Sequence, residues 1–414
     1  MRRRFLTLLL SFLISSADAQ TVLTLDAAVE AAVKNSIDLR KSGLDLEAAA
    51  YSAERLWAEM FPSISLGGGA NYGTNLFTGE NQFSADGFGY SVSASAHVSF
   101  NAGVPYAMKL TALAYQTQLL SYADARKQLK IQVAKDFYSL IAEKENISVL
   151  GAALNLAEGQ EARSATAFRN GLINERVNLQ SQLAAETARL ALIRAETAYA
   201  ANLRDFLTLL GVEEGAVLEG KIEIAKFDES AEELILFLDK RPDIVSRKQD
   251  VERLEIIAKR QQYEKKAPSF SAGVTWSGSG NEFSDRLSGS VSIDVPVEPW
   301  IPGTKSHQSL KTAALDVEKA RLDLQDAENK AKNEIRSLAA NLRSSWQTIE
   351  TARLQVRVAE RVYQVTESGF QQGAVELSAL EDARNNMSRA RQELLSSESA
   401  YKTLTLDLDK AVNR

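Results

Sequence analysis

The chain has 414 residues, a formal net charge of −6 and no cysteine. The absence of cysteine excludes disulfides, thiolate metal sites and thiol nucleophiles. The mildly acidic balance, with no basic cluster beyond the first residues, argues against nucleic acid as a partner. The two histidines, His97 and His307, have no second ligand at metal-binding spacing, and no nucleophile–base pair is visible. The sequence therefore predicts no metal, no other cofactor and no enzymatic activity.

Residues 1–19 have the pattern of a secretory signal peptide, which places the mature start at Gln20. Residues 2–4 are arginines, residues 5–14 form a short and mostly apolar run, and Ala17-Asp18-Ala19 is a small-x-small cleavage site. A transmembrane anchor is the weaker interpretation, because the apolar run is well short of about 18–20 residues. No later stretch suits a membrane helix, so entry into a membrane would have to use strands.

The chain reads as a duplication, because three stretches recur in the same order about 200 residues later. The first halves of these pairs begin at residues 35, 61 and 168, with the sequences NSIDLRKSGLDLEAA, FPSISLGGGANYG and FRNGLINERVNLQSQLA. Their counterparts begin at residues 241, 267 and 370, with the sequences RPDIVSRKQDVERLE, APSFSAGVTWSGS and FQQGAVELSALEDARNN. We therefore expect one repeat over 20–220 and a second over 221–414.

Residues 88–100, FGYSVSASAHVSF, alternate between apolar and small polar side chains, which would lie on opposite faces of one strand. A soluble sheet usually carries charge on its polar face, whereas this face is mostly serine. The length suits a membrane strand of about 9–11 residues. The pattern recurs three times, which favours a membrane barrel and predicts β-hairpins over 62–100 and 268–297. The side chains expected to face the lumen are Ser91, Ser93, Ser95, Ser271, Thr275, Ser290 and Ser292.

The remainder of each repeat is predicted to be helical. All seven prolines lie at hairpin edges or helix starts, which leaves long ranges free of helix breakers. Leu338, Leu342, Trp346 and Ile349 have the spacing of one helical face. Each repeat should therefore contain a helix before its β-hairpin and a long helical hairpin after it, over 105–211 and 304–413. A soluble coiled coil with appended hairpins would explain these rods but not the serine-lined strands.

Four strands cannot close a barrel, and an open sheet edge in lipid would leave backbone groups unpaired. Several chains must therefore share one barrel. Three chains would give about twelve strands, which lies within the known range of membrane barrels. The sequence thus predicts an oligomer of several chains, for which three is a suitable number, whose apolar face contacts membrane lipid.

The sequence resembles the TolC-like outer-membrane efflux proteins over nearly the whole mature chain. The resemblance rests on LTLDAAVEAAVKNSIDLR at 23–40, on strands led by Pro62 and Pro268, on VPVEPWIPG at 295–303, and on the two tip sequences that follow residues 168 and 370. It implies a mainly α protein with a membrane β part, in which a trimeric 12-stranded β-barrel in the outer membrane continues into a long α-helical barrel in the periplasm. It also implies an exit duct for small-molecule efflux or type I protein secretion, working with a periplasmic adaptor and an inner-membrane transporter.

The resemblance also assigns roles at the tips of the helical hairpins. Adaptor docking is expected at Arg169, Gly171, Leu172, Val177, Gly373, Val375, Leu377 and Leu380. Asp382 would line the periplasmic aperture, with Glu376 and Glu381 nearby; the alternative places Asp382 on a solvated helix face. Val177 and Val375 replace polar residues that close the tube in some relatives, and Ala379 replaces an acid.

A periplasmic coiled-coil adaptor or scaffold without a pore is the alternative function. Single-channel conductance would separate it from an export duct. The sequence does not indicate the cargo.

Overall fold

The computed structural model describes residues 22–72, 88–212, 215–279 and 284–413. The predicted signal peptide and the connection between the first two long strands lie outside these residues. Two compact units divide the chain. The first contains Gln128–Asp228 and Leu338–Lys410 together with the N-terminal segment up to Ile37, and the second contains Asp38–Lys127 and Glu229–Ser337 together with the last residues.

Four long helices form two hairpins of nearly equal size. Helices α3 (Val104–Arg169) and α4 (Glu175–Leu210) contain 66 and 36 residues. Helices α7 (Lys305–Gln371) and α8 (Leu377–Val412) contain 67 and 36 residues. The matching lengths agree with a duplicated chain, and the only proline within these helices, Pro105, lies in the first turn of α3, where its missing N–H leaves no helical bond unmade.

The shorter elements connect these hairpins to the strands. They are β1 (Val22–Leu23), α1 (Leu25–Asn35), α2 (Ile37–Glu54), β4 (Val217–Leu218), α5 (Ala231–Ile235) and α6 (Pro242–Lys266). Strands β1 and β4 pair in parallel. In the first unit, α1 packs on α4, and the Asn35 amide donates to the carbonyl of Leu210 at 2.7 Å. Phe137, Phe206 and Leu210 centre the core there.

The second unit contains a four-stranded antiparallel sheet. Its strands are β2 (Ser63–Tyr72), β3 (Phe88–Phe100), β5 (Ser269–Ser279) and β6 (Ser284–Asp294), in the order β2-β3-β5-β6. Each repeat therefore supplies one β-hairpin, and β3 pairs with β5 to join them.

The strand register places every predicted lumen residue on one face of this sheet. Ser95 lies opposite Thr275, and Ser93 lies opposite Ser277. Ser271 lies opposite Ser292, with their hydroxyl oxygens 2.6 Å apart. Glycine leaves room for the serine side chains on this face, since a Cβ at Gly67 would lie 3.1 Å from the Ser93 hydroxyl.

The opposite face of the sheet is apolar and uncovered. Leu66, Leu287 and Val291 are 84%, 73% and 83% exposed, and Ile64, Val274 and Ile293 are also exposed. Water would solvate such a continuous apolar surface poorly. Among the described helices, none is both long and apolar enough to cross a bilayer.

We expect Val291→Arg to destabilise the protein in lipid by about 2–4 kcal/mol, because it places a charge on the apolar face of the sheet, which the sequence predicts to contact lipid. The neighbouring Ser290→Arg should cause no comparable loss, because residue 290 lies on the polar face. Urea unfolding from lipid vesicles measures both free energies. Equal losses for the two variants would contradict the assignment of the faces.

Candidate functional site

The first helical hairpin reverses at a glycine with a left-handed backbone. Gly171 has a φ of 71°, a region in which side chains with a Cβ are strained. The Leu172 amide donates to the carbonyl of Ala167 at 2.8 Å, which closes a Schellman turn at the end of α3. The next helix is capped by the Asn174 side chain, which accepts from the amide of Val177 at 3.0 Å. Leu172 is left 75% exposed at the tip.

The second hairpin repeats this turn. Gly373 has a φ of 74°, and the Ala374 amide donates to the carbonyl of Gly369 at 2.9 Å. Gly369 also permits a close approach, because a Cβ there would lie only 2.8 Å from Cγ2 of Val375. The two repeats therefore present equivalent tips, each built around one glycine that terminates a long helix.

The predicted docking residues divide into exposed and buried groups. Arg169, Gly171, Leu172 and Gly373 are exposed, and Val177 and Val375 are half-buried. Leu377 and Leu380 are each only 5% exposed. Leu380 packs with Tyr363, Ala383 and Met387, so that it holds α8 against α7. In this conformation, these two leucines support the tip from inside and do not form its outer surface.

A cavity of about 400 Å³ separates the two tips. Its apolar lining includes Val177, Phe370 and Val375, and its charged lining includes Arg163 and Glu376. A second cavity of about 570 Å³ continues from the first, since Gln180 lines both. The side chains that line this second cavity on α4 and α8 include Leu183, Ala184, Thr187, Glu381, Arg384, Asn385 and Ser388. We call the two cavities together the α4/α8 groove.

The α4/α8 groove contains a buried charge that the sequence did not reveal. Arg384 is only 7% exposed, and burial lowers its pKa, although the guanidinium remains charged. Within the described chain, Oε1 of Glu381 is buried and accepts no hydrogen bond. Burial raises the pKa of Glu381, while the positive charge of Arg384 partly opposes this shift. One turn of α8 that lines the groove therefore carries two groups, Glu381 and Arg384, whose charged forms are penalised by burial.

The three acids predicted at the aperture have different surroundings. Glu376 lines the cavity between the tips, and Glu381 lines the second cavity. Asp382 lines neither of them and is exposed. Arg384, Tyr363 and Arg163 were missed by sequence reasoning. The sequence does contain a pattern that points to Arg384. Leu380, Ala383 and Met387 have the spacing of one apolar helical face, and Arg384 follows Ala383 directly, so it lies at the edge of that face.

The family model for outer membrane efflux proteins matches residues 28–212 and 237–414. The chain belongs to the outer membrane efflux protein family. This confirms the resemblance seen in the sequence and places the efflux protein in the outer membrane, with its helical part in the periplasm. No curated protein matches the sequence.

Solved structures of outer membrane channels have the same fold as this efflux protein. The CmeC outer membrane channel of Campylobacter jejuni has a TM-score of 0.75 at 16% identity, with 94% of this chain and 85% of that chain covered. VceC of Vibrio cholerae has a TM-score of 0.74 at 16% identity, with coverages of 94% and 95%. The open MtrE channel of Neisseria gonorrhoeae has a TM-score of 0.73 at 15% identity, with coverages of 94% and 88%. The predicted two-repeat, mainly α fold with a membrane β part is thus confirmed.

The raised pKa of Glu381 predicts a pH-dependent contribution to stability. The neutral acid tolerates burial, so its contribution is fully present below the ordinary pKa of 4.5 and is lost as the pH rises through the raised folded-state value. Glu381→Gln should therefore melt at a higher temperature than the unmodified protein at pH 7.5, and the difference should vanish near pH 4. Thermal melts followed by circular dichroism test this.

Ser388→Ala is the matched control, because Ser388 lines the same cavity and has no ionisable group. Its melting difference should not depend on pH. A pH-independent difference for Glu381→Gln would show that burial of this carboxylate does not penalise its charged form.

Proposed function

We propose that this efflux protein is a homotrimeric exit duct that conducts cargo across the outer membrane. The cargo, small molecules or a secreted protein, would come from an inner-membrane transporter through a periplasmic adaptor. The observation that carries the proposal is the sheet with one uncovered apolar face and one uncharged, serine-lined face. A periplasmic adaptor or scaffold without a pore would have no use for such a sheet.

The sheet edges support the trimer. Strands β2 and β6 are the edge strands, and they run in opposite directions because all neighbouring pairs are antiparallel. The β6 strand of one copy can therefore pair in antiparallel fashion with the β2 strand of the next. Three copies would close a barrel of about twelve strands, an even number as expected for antiparallel membrane barrels. Closure of the barrel would pair the backbone N–H and C=O groups of the edge strands, to which lipid cannot hydrogen-bond.

The helices of the first unit also have apolar surface available for a second copy. Leu354, Val358, Val362 and Val365 of α7 are 49–57% exposed and share one helical face. Three of them line an open groove of about 650 Å³ beside α8. Packing of a neighbouring chain into this groove would bury the stripe and join three hairpin pairs into a tube.

The α4/α8 groove is the proposed docking site for the adaptor. Leu183 of α4 lines this groove and is 69% exposed. A groove lined by both apolar and charged side chains suits an amphipathic helix that lays its apolar face inward. Leu172, Arg169 and the two tip glycines would then contact the same partner from the rim.

Asp382 is the proposed aperture residue, since it is exposed one helical step from the buried groove residues. Three copies would bring three such carboxylates around the axis. An acidic ring attracts cations and repels anions.

Conductance across planar lipid bilayers tests the duct and its aperture together. The reconstituted protein should give discrete channels that prefer cations, and Asp382→Asn should reduce that preference because it removes the charge ring. Glu196→Gln, which removes a charge from an exposed position on α4, should leave the reversal potential unchanged. Absence of any conductance would contradict the duct, whereas unchanged selectivity in Asp382→Asn would place that residue outside the pore.

Docking is tested with Leu183→Asp, which should lose adaptor crosslinking and export while trimers still assemble, because a charge enters the apolar wall of the groove. Leu236→Asp is the control, since Leu236 is 80% exposed and lies outside the groove. Export assays and site-specific crosslinking in cells measure both. Normal export and crosslinking in Leu183→Asp would remove the α4/α8 groove from the docking site.

A further inference from the structure

One end of the sheet carries all of its connections to helices α2, α3, α6 and α7. Strands β2 and β5 begin there and β3 and β6 end there, as the antiparallel register requires. Two short 3₁₀ turns flank the sheet at this end, Leu56–Met60 before β2 and Glu298–Trp300 after β6. In a protein of the outer membrane, this end meets the headgroup layer of the leaflet that faces the periplasm.

Large aromatic and aliphatic side chains are exposed at this end. Trp57 and Phe61 are 55% and 60% exposed and pack edge to face, with ring centroids 5.6 Å apart. Trp300 is 64% exposed on the other 3₁₀ turn, and Ile301 beside it is 51% exposed. Tryptophan prefers the boundary between hydrocarbon and headgroups, because its ring is apolar and its N–H needs a polar partner.

Cations stand beside these aromatic rings. The Lys266 ammonium lies 4.8 Å from the centroid of the Trp300 ring. One helical turn earlier on α6, Tyr263 stacks on Tyr106 of α3 at 5.1 Å, and the Lys109 ammonium lies 5.5 Å from the Tyr106 ring. We call Tyr106, Lys109, Tyr263, Lys266 and Trp300 the rim cluster.

The two lysines of the rim cluster have no acidic partner among the residues that the structure describes. Within the described parts of the chain, no carboxylate lies within ion-pair distance of Lys109 or Lys266. By contrast, Arg260, further back on α6, is paired with Glu264 at 2.7 Å. The rim cluster therefore presents two positive charges that lie against aromatic rings. It is located at the end of the sheet, where the apolar face of the strands begins.

We propose that the rim cluster binds the headgroup of an anionic phospholipid in the leaflet that faces the periplasm. Lys266 and Lys109 would contact the phosphate, and the Trp300 ring would lie at the level of the lipid glycerol and carbonyl groups. Charge complementarity and continuity with the apolar sheet face select this occupant. The inference rests on the proposed contact between that face and lipid, so its experiment measures the two separately.

The experiment uses the full-length protein reconstituted in nanodiscs that contain equal amounts of phosphatidylglycerol and phosphatidylcholine. Native mass spectrometry counts the lipids that remain bound after detergent extraction. The unmodified protein should retain phosphatidylglycerol preferentially over phosphatidylcholine. In the Lys109→Gln/Lys266→Gln variant, the ratio of the two bound lipids should fall roughly fivefold for each lysine removed. Raising the salt concentration should weaken the preference in the unmodified protein only.

The control is Lys226→Gln/Lys330→Gln, which removes two lysines away from the rim that are paired with Asp228 and Asp326. It should retain the full preference. Equal retention of the two lipids by the unmodified protein, or an unchanged preference in Lys109→Gln/Lys266→Gln, would overturn the proposal.

Quenching by brominated lipids separates this inference from the lipid contact of the sheet. Trp276 lies opposite Ala94 on the apolar face of the sheet. Brominated phosphatidylcholine should therefore quench its fluorescence, which is identified as the part of the tryptophan emission that is lost in Trp276→Phe. The tryptophan fluorescence that is lost in Trp300→Phe should be quenched more strongly by brominated phosphatidylglycerol than by brominated phosphatidylcholine. Quenching of Trp276 without any anionic preference at Trp300 would refute the rim cluster alone, whereas no quenching of Trp276 would refute the lipid contact of the sheet.

Discussion

Hydrocarbon offers no hydrogen-bond partner to a backbone amide or carbonyl, so a strand that enters lipid must be paired on both sides. The sheet of this efflux protein meets that requirement inside one chain for β3 and β5 only. Its apolar face is uncovered, and β2 and β6 are edges. Neither water nor lipid suits this sheet as a single copy. The proposed trimer follows from that constraint, because closure removes the edges and leaves the apolar face toward lipid.

The duplication gives each chain two equivalent hairpins with one tip design. Gly171 and Gly373 end their helices in the same left-handed conformation, with the same bond from the following amide to the carbonyl five residues earlier. A long helix can therefore stop at one residue and return without a long loop. The two hairpins differ beside the tips, where α4 contributes Leu183 to the lining of the groove and α8 contributes Glu381 and Arg384.

The groove charges differ from the surface ion pairs elsewhere in the helices. Exposed pairs such as Lys330 with Asp326 are screened by water and contribute little. Arg384 is buried, and Oε1 of nearby Glu381 is buried without a hydrogen-bond partner in the described chain, so solvent compensates these charges less. A docked helix that donates a hydrogen bond there would relieve part of that penalty. A docked helix could therefore place a polar side chain at this position while its apolar face contacts the apolar wall of the groove.

The sequence by itself determined the duplication, the proline-free helical hairpins and the two faces of each strand. These features depend on local rules: proline positions limit helices, and alternation assigns Ser93 and Val92 to opposite faces whatever the strand pairs with. The tip glycines were also predictable, since a helix reversal needs a residue that accepts positive φ.

Only the tertiary structure decided which tip residues are buried. Leu377 and Leu380 read like Leu172 in the sequence, yet packing against α7 encloses Leu380, and Leu377 is equally buried, while the Gly171 turn leaves Leu172 in solvent. The groove acid was decided in the same way. Glu381 and Asp382 are adjacent in sequence, but one helical step of about 100° turns Glu381 toward α4 and leaves Asp382 exposed, because burial depends on which neighbouring helix a side chain faces.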